Sequence, residues 1–121
     1  MKFYKCEVCG NIVYYFKKTS VDAMCCGKKL VELQPNTTDA ATEKHVPVVM
    51  IDGNSITVKV SSVTHPMLEV HYIQWIVLET TKGFYVKYLQ PGEEPVAKFT
   101  LTDETVVKAY EYCNLHGLWS N

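Results

Sequence analysis

Five cysteines and four histidines fall into two groups along this chain of 121 residues, and every one of them fits a metal-ligand set. The N-terminal set is Cys6-Glu7-Val8-Cys9 followed by the adjacent pair Cys25-Cys26. The second is His45, His65, His71 and Cys113-Asn114-Leu115-His116. Four thiolates close a tetrahedral site and leave no position open. Four imidazoles and one thiolate make five ligands, which suits iron better than zinc and leaves one octahedral position for a substrate. A closed centre together with an open one reads as an electron relay plus a reaction site.

That distribution also divides the chain. A length of 121 residues leaves room for a small metal-stapled module attached to a domain of roughly 85 residues. Residues 1–34 hold the whole first cysteine set with only short apolar pieces, Ile12 to Phe16 and Leu30 to Leu33, so a metal clip has to supply the stability that so small a core cannot. Turn-formers and small polar residues from Pro35 to Thr42 mark a linker, giving domains 1–35 and 36–121. Beyond Val46 the apolar residues recur with period two. Val46 to Ile51 and Ile56 to Val60 flank the turn Asp52-Gly53-Asn54, and further strands are expected at Val70–Glu79, Phe84–Leu89, Val96–Leu101 and Val106–Tyr112. No convincing amphipathic helix interrupts them. Short, regularly spaced strands predict a mainly β chain whose second domain is an antiparallel β-sandwich.

Composition excludes other classes. The formal net charge is −1 and all twelve basic residues are lysine, so bidentate arginine readout of bases or phosphates is absent and nucleic acid is not an expected partner. No apolar run approaches the ~20 residues of a membrane span, and Met1 to Cys6 runs straight into the ligand motif without an apolar leader. A cytoplasmic protein with no membrane contact is expected. An odd number of cysteines, two of them adjacent, is a poor disulfide framework, which leaves reduced thiolates on metal.

Cys-x-x-Cys-Gly places two thiolates on one tight turn, a half-site common to zinc ribbons and rubredoxin-type iron sites. Cys25-Cys26-Gly27 separates them, because neighbouring residues on one ion must splay their side chains and distort the tetrahedron. Four-thiolate iron is the favoured reading over a zinc staple, and such a site can only pass electrons.

Taken in order, these motifs resemble the desulfoferrodoxin family, the two-iron form of superoxide reductase. Tyr4-Lys5-Cys6-Glu7-Val8-Cys9-Gly10 with Cys25-Cys26-Gly27 is similar to its desulforedoxin-type domain. Glu43-Lys44-His45-Val46-Pro47, Thr64-His65-Pro66-Met67, Val70-His71-Tyr72-Ile73-Gln74-Trp75 and Cys113-Asn114-Leu115-His116-Gly117-Leu118-Trp119 are similar to its catalytic domain. The resemblance implies two irons per chain: one held by Cys6, Cys9, Cys25 and Cys26, the other by an equatorial plane of His45, His65, His71 and His116 with Cys113 axial. It also implies an immunoglobulin-like sandwich, a homodimer, and one-electron reduction of superoxide to hydrogen peroxide with electrons from an external donor protein such as a rubredoxin. Glu43 is implied as a sixth ligand of the ferric iron, and Lys44 as a residue near the vacant position of the ferrous form.

From the residues alone, a lone histidine is more often a half-buried structural residue than a ligand, and a lone cysteine a buried thiol. Four histidines within matching motifs, with Cys113 and His116 at chelate spacing, reverse that balance. Trp75, Trp119 and Tyr72 are expected to pack as core or as an apolar shell around the metal. An alternative to the enzyme is an iron electron carrier without catalytic activity, in which protein would fill the sixth position.

Overall fold

The computed structural model describes every residue, Met1 to Asn121, and divides into two compact units, Met1–Gln34 and Pro35–Asn121. The first unit is built of very short strands: β1 (Phe3–Lys5), β2 (Ile12–Tyr14), β3 (Met24–Cys25), β4 (Lys28–Lys29) and β5 (Val31–Glu32). β1 lies between β2 and β5 in an antiparallel sheet, and β3 and β4 form a separate hairpin. Of the buried apolar residues of the chain only Phe3 and Cys6 belong to this unit, so its interior is little more than one aromatic ring and the metal-ligand thiol.

The second unit carries α1 (Thr42–His45), β6 (Val48–Asp52), β7 (Ser55–Lys59), β8 (Ile73–Thr80), β9 (Gly83–Tyr88), β10 (Val96–Thr100), β11 (Val106–Cys113) and β12 (Gly117–Ser120). Two antiparallel sheets, ordered β10-β7-β6 and β12-β11-β8-β9, make the β-sandwich. Strand alternation sends Ile56 and Val58 of β7, Ile76 and Leu78 of β8, Ala97 of β10 and Ala109 of β11 into one core, and Cys113 belongs to that same buried cluster. A metal-ligand thiol therefore extends the hydrophobic core. No helix is long and apolar enough to cross a membrane.

The strands largely follow the period-two pattern, with informative exceptions at their ends. α1 is a single turn, too short to leave any helical periodicity in the sequence. β6 starts at Val48 rather than Val46 because Pro47 has no amide to give to a ladder. β8 starts at Ile73 rather than Val70, since His71 instead pairs locally with Leu68 through reciprocal hydrogen bonds of 2.9 and 3.0 Å. β12, read in sequence only as part of a ligand motif, is a real strand, pairing Cys113 with Gly117 and Tyr110 with Ser120. In the β6–β7 hairpin Asp52 pairs with Ser55, leaving Gly53-Asn54 as a two-residue turn with positive φ at Gly53.

Candidate metal centres

The first cysteine set is assembled by two turns. In the Cys6–Cys9 turn the Gly10 amide donates to the Cys6 carbonyl at 2.9 Å and the Cys9 amide to Cys6 Sγ at 3.5 Å. These backbone donors favour the thiolate, and the Cys9 amide above all draws the Cys6 pKa down to about 6. The splaying that adjacent cysteines require is achieved by the hairpin of β3 and β4. Cys25 pairs with Lys28, so Cys26-Gly27 are the two turn residues, and both have positive φ, 53° and 75°, the signature of a type I′ turn. Cys25 thus projects from a strand and Cys26 from the turn. All four sulfurs lie within 4.8 Å of one another, and Cys9 Sγ is 3.6 Å from Cys25 Sγ. Metal–sulfur bonds of about 2.3 Å would place tetrahedral sulfurs about 3.8 Å apart, so the set fits one ion. Hydrogen bonding to Cys6 and Cys9 holds the Cys25 thiol up at about 12.

The second set is a square of imidazoles. Successive ring centroids are 4.7 Å apart for His45–His65, 4.6 Å for His65–His71, 5.0 Å for His71–His116 and 4.8 Å for His116–His45. The diagonal His45–His71 is 6.5 Å, close to the diagonal of a square of that edge. Neighbouring rings are turned by 77° to 84°, a propeller that lets four nitrogens converge without clashing. His45 Nε2 is 3.2 Å from His65 Nε2 and 3.0 Å from His116 Nδ1. Metal–nitrogen bonds of about 2.1 Å set donors at right angles about 3.0 Å apart, so these edges fit an ion at the centre. His71 Nε2 is buried without any hydrogen-bond partner, which is how a ligand nitrogen stands when its partner is a metal. Cys113, fully buried, supplies the fifth donor, with its Sγ 3.8 Å from His116 Nδ1.

Two of the ligands are oriented by backbone carbonyls. His45 Nδ1 donates to the Ala41 carbonyl at 2.7 Å across α1, and His65 Nδ1 donates to the Pro66 carbonyl at 2.6 Å, leaving both Nε2 lone pairs inward. Burial first, and then the neighbouring rings, lower the pKa of His45, and burial holds His65 at about 4. These effects outweigh the hydrogen bonds to the Ala41 and Pro66 carbonyls, which act the other way, so near neutral pH His45 and His65 are in the form that ligates. Burial raises the Cys113 thiol, opposed by the Leu115 and His116 amides, and a bound cation would ionise it. A bulge helps aim it: Tyr112 faces Trp75 but Cys113 faces Ile73, so β8 carries one extra residue at this point. Two residues earlier, Glu111 is fully buried with both carboxylate oxygens unpartnered, and burial keeps it protonated far above the ordinary carboxylate range.

Several residues outside the donor sets support the second one. Trp119 stacks on His45 at 4.8 Å and 27°, while its Nε1 donates to the His116 carbonyl at 3.1 Å. Trp75 instead stacks on its cross-strand neighbour Tyr112 at 5.5 Å. Asn114 ties two ligand segments together: its Oδ1 accepts from the Tyr72 amide at 2.9 Å, and its Nδ2 donates to the Val70 carbonyl at 3.1 Å. His71 is thereby held to the Cys113–His116 turn. Asn114→Ala is expected to lower iron affinity of the second site by about 10- to 100-fold, the usual effect of losing a group that orients a ligand, while the four-cysteine site stays loaded. Iron analysis after dialysis against a graded chelator series checks this.

Glu43 and Lys44 are not among the five convergent ligands. Both are exposed on α1, and the Glu43 carbonyl accepts from the Val63 amide at 2.8 Å. Lys44 nevertheless makes itself felt, since its positive charge contributes to the lowered pKa of both His45 and His71.

A closed four-thiolate group in one unit, and an open four-histidine, one-cysteine group in a β-sandwich, define a mainly β, two-centre non-haem iron protein. Family comparison agrees: the desulfoferrodoxin N-terminal domain model matches residues 1–33 and the desulfoferrodoxin model matches residues 37–121. The chain belongs to the desulfoferrodoxin family. It is 50% identical to a desulfoferrodoxin of Syntrophotalea carbinolica over 121 residues, covering 100% of this chain and 95% of that protein. With the desulfoferrodoxin of Nitratidesulfovibrio vulgaris it shares 46% over 118 residues, 98% of this chain and 93% of the other. The crystal structure of the superoxide reductase from Treponema pallidum superposes with a TM-score of 0.83 at 40% identity, covering 99% of this chain and 97% of that one. A one-iron superoxide reductase from Giardia intestinalis, 37% identical, superposes with a TM-score of 0.56 over 66% of this chain and 96% of its own. The Cys6, Cys9, Cys25, Cys26 group and the His45, His65, His71, His116, Cys113 group match the two irons of the family.

Proposed function

We propose that the protein is a superoxide reductase, converting superoxide, one electron and two protons into hydrogen peroxide without oxidising a second superoxide. The observation that carries this reading is the square of four imidazoles with one buried cysteine, a donor set that would hold iron and leave an octahedral position free. Iron bound there supplies the reducing electron and a Lewis-acidic vacancy. The chain's own residues do the rest. Neutral imidazoles add no charge, so one thiolate on a ferrous ion leaves a formal +1, which attracts an anion. Backbone carbonyls of Ala41 and Pro66 fix the ring tautomers, and Trp119 covers one face of His45. Pulse radiolysis of the reduced two-iron protein tests the reading. Peroxide should form at one per superoxide consumed with no oxygen released, and dismutation stoichiometry or absence of reaction would overturn it. An electron carrier without catalysis would show no reaction with superoxide at all.

Glu43 and Lys44 complete the site in this reading. Glu43 stands two residues before His45 and would supply a carboxylate ligand to the iron in the oxidised protein. Glu43→Ala should shift the ferric charge-transfer band while leaving the encounter rate of the ferrous protein with superoxide within about twofold, and an unchanged ferric spectrum would remove the assignment. Lys44 adds positive potential for the incoming anion, in keeping with its effect on His45 and His71. Lys44→Glu should slow the second-order reaction about tenfold at low salt, within the range that steering supplies, and the loss should shrink as ionic strength rises. A rubredoxin is the proposed electron donor and a homodimer the proposed assembly. Exposed Met50 and Ile51 on edge strand β6 are surface that a second copy would cover. Five free thiols suit a reducing compartment, and the cytoplasm is the proposed one.

A further inference from the structure

Trp119 engages two residues of the second donor set, stacking on the His45 ring and donating to the His116 carbonyl, yet it sits on β12, the four-residue edge strand of its sheet. An edge strand has backbone groups with no ladder partner, and here they are not left to solvent: Leu118 and Ser120, on either side of Trp119, are each 4% exposed. Buried amides and carbonyls need partners, so something other than a strand must close this edge. Asn36 does so. Its amide donates to the Leu118 carbonyl at 3.1 Å, its Nδ2 donates to the Ser120 carbonyl at 3.0 Å, and its Oδ1 accepts from the Ser120 amide at 2.9 Å. One residue thus bonds both neighbours of Trp119, its side-chain amide standing in for the peptide group of a missing strand. The backbone is turned to allow it: Asn36 has φ 61°, a left-handed conformation that asparagine adopts more readily than most residues with a side chain. The segment continues to the start of β12, where Thr38 Oγ1 lies 3.6 Å from the place a Cβ on Gly117 would take.

We propose that Asn36 is a positioning residue of the second metal centre: by clasping the free edge of β12 it holds Trp119 against the His45 ring and on the His116 carbonyl. Asn36 belongs to neither donor set and acts through Trp119, and both ends of the clasp lie in the second unit. Without the side-chain amide, the buried Ser120 amide and carbonyl lose their partners, and the strand has to shift to find others. Trp119 shifts with it, loosening two corners of the imidazole square at once. Groups that orient a ligand directly are worth about 10- to 100-fold in metal affinity, and Asn36, acting at one remove, belongs at the lower end.

Chelator competition on the two-iron protein, read from the visible spectra of the two centres, tests this. Asn36→Gly keeps the left-handed backbone and the amide bond to Leu118 and removes only the side-chain clasp. It should weaken iron binding at the second centre about tenfold and shift that centre's thiolate-to-iron band, with the four-cysteine centre unchanged. Asn36→Asp, of the same shape and still able to accept from the Ser120 amide, should lose about threefold, and it carries the test should the glycine variant fold poorly. Asn121→Ala removes another side-chain bond at the end of the same strand, the one from the Ala109 amide at 2.8 Å, and should change iron affinity less than about twofold. In a Trp119→Phe background the further loss from Asn36→Gly should fall below about threefold, since both changes break one chain of contacts. Parental affinity and spectrum in both Asn36 variants, an equal loss from Asn121→Ala, or a full tenfold loss in the Trp119→Phe background would each overturn the proposal. These readouts involve no superoxide, so failure of the enzyme reading would leave the clasp standing, and failure of the clasp would leave the enzyme reading standing.

Discussion

Cys113→Ser is expected to reduce the rate at which the ferrous protein consumes superoxide by at least about a hundredfold, more than the loss of any group that merely orients a ligand. The thiolate is the sole anionic donor of the second site. A neutral hydroxyl in its place withdraws the electron donation that pushes density toward the open position, and a hard oxygen is a poorer partner for the ion than sulfur. The position also tolerates change badly, because Cys113 is fully buried within the sandwich core and receives the amides of Leu115 and His116. Pulse radiolysis of the pre-reduced variant, with iron content and the thiolate-to-iron absorption band recorded in parallel, measures the effect. Parental kinetics in an iron-loaded variant lacking the thiolate band would show that sulfur is dispensable.

Removing the first metal should separate the two units. Cys25→Ser is expected to bleach the four-thiolate spectrum and unfold residues 1–34, since Phe3 and Cys6 are their only buried apolar residues and so small a unit cannot hold a fold on that core alone. Limited proteolysis should then cut within this segment and leave residues 35–121 intact. Single-turnover superoxide reduction by the pre-reduced second centre should persist within about twofold, because all five of its ligands lie beyond Pro35. Loss of that reaction, or a first unit that resists protease without its metal, would contradict the independence of the two sites.

Much of this could be read from residue types and spacing. Cysteine and histidine are chemically committed ligands, so their grouping named both donor sets before any coordinates, and the alternation of Val, Ile and Tyr beyond Val46 located six of the seven sandwich strands. β12 escaped because Gly117 to Ser120 is only four residues long and overlaps the ligand motif. The single turn α1 escaped because four residues cannot show a period of 3.6.

Residue identities and spacing set the inventory: which atoms can bind metal, how many centres they can make, and that β-sheets would carry one of them. Geometry came from the folded chain. Adjacent Cys25 and Cys26 can share an ion because a type I′ turn puts positive φ at Cys26, and a backbone angle is not written in residue identity. The square of the four imidazoles and the clasp of Asn114 on the His71 segment join residues distant in sequence. Such contacts depend on strand register and on a bulge opposite Cys113, which are settled by packing of the whole sandwich and not by any local preference.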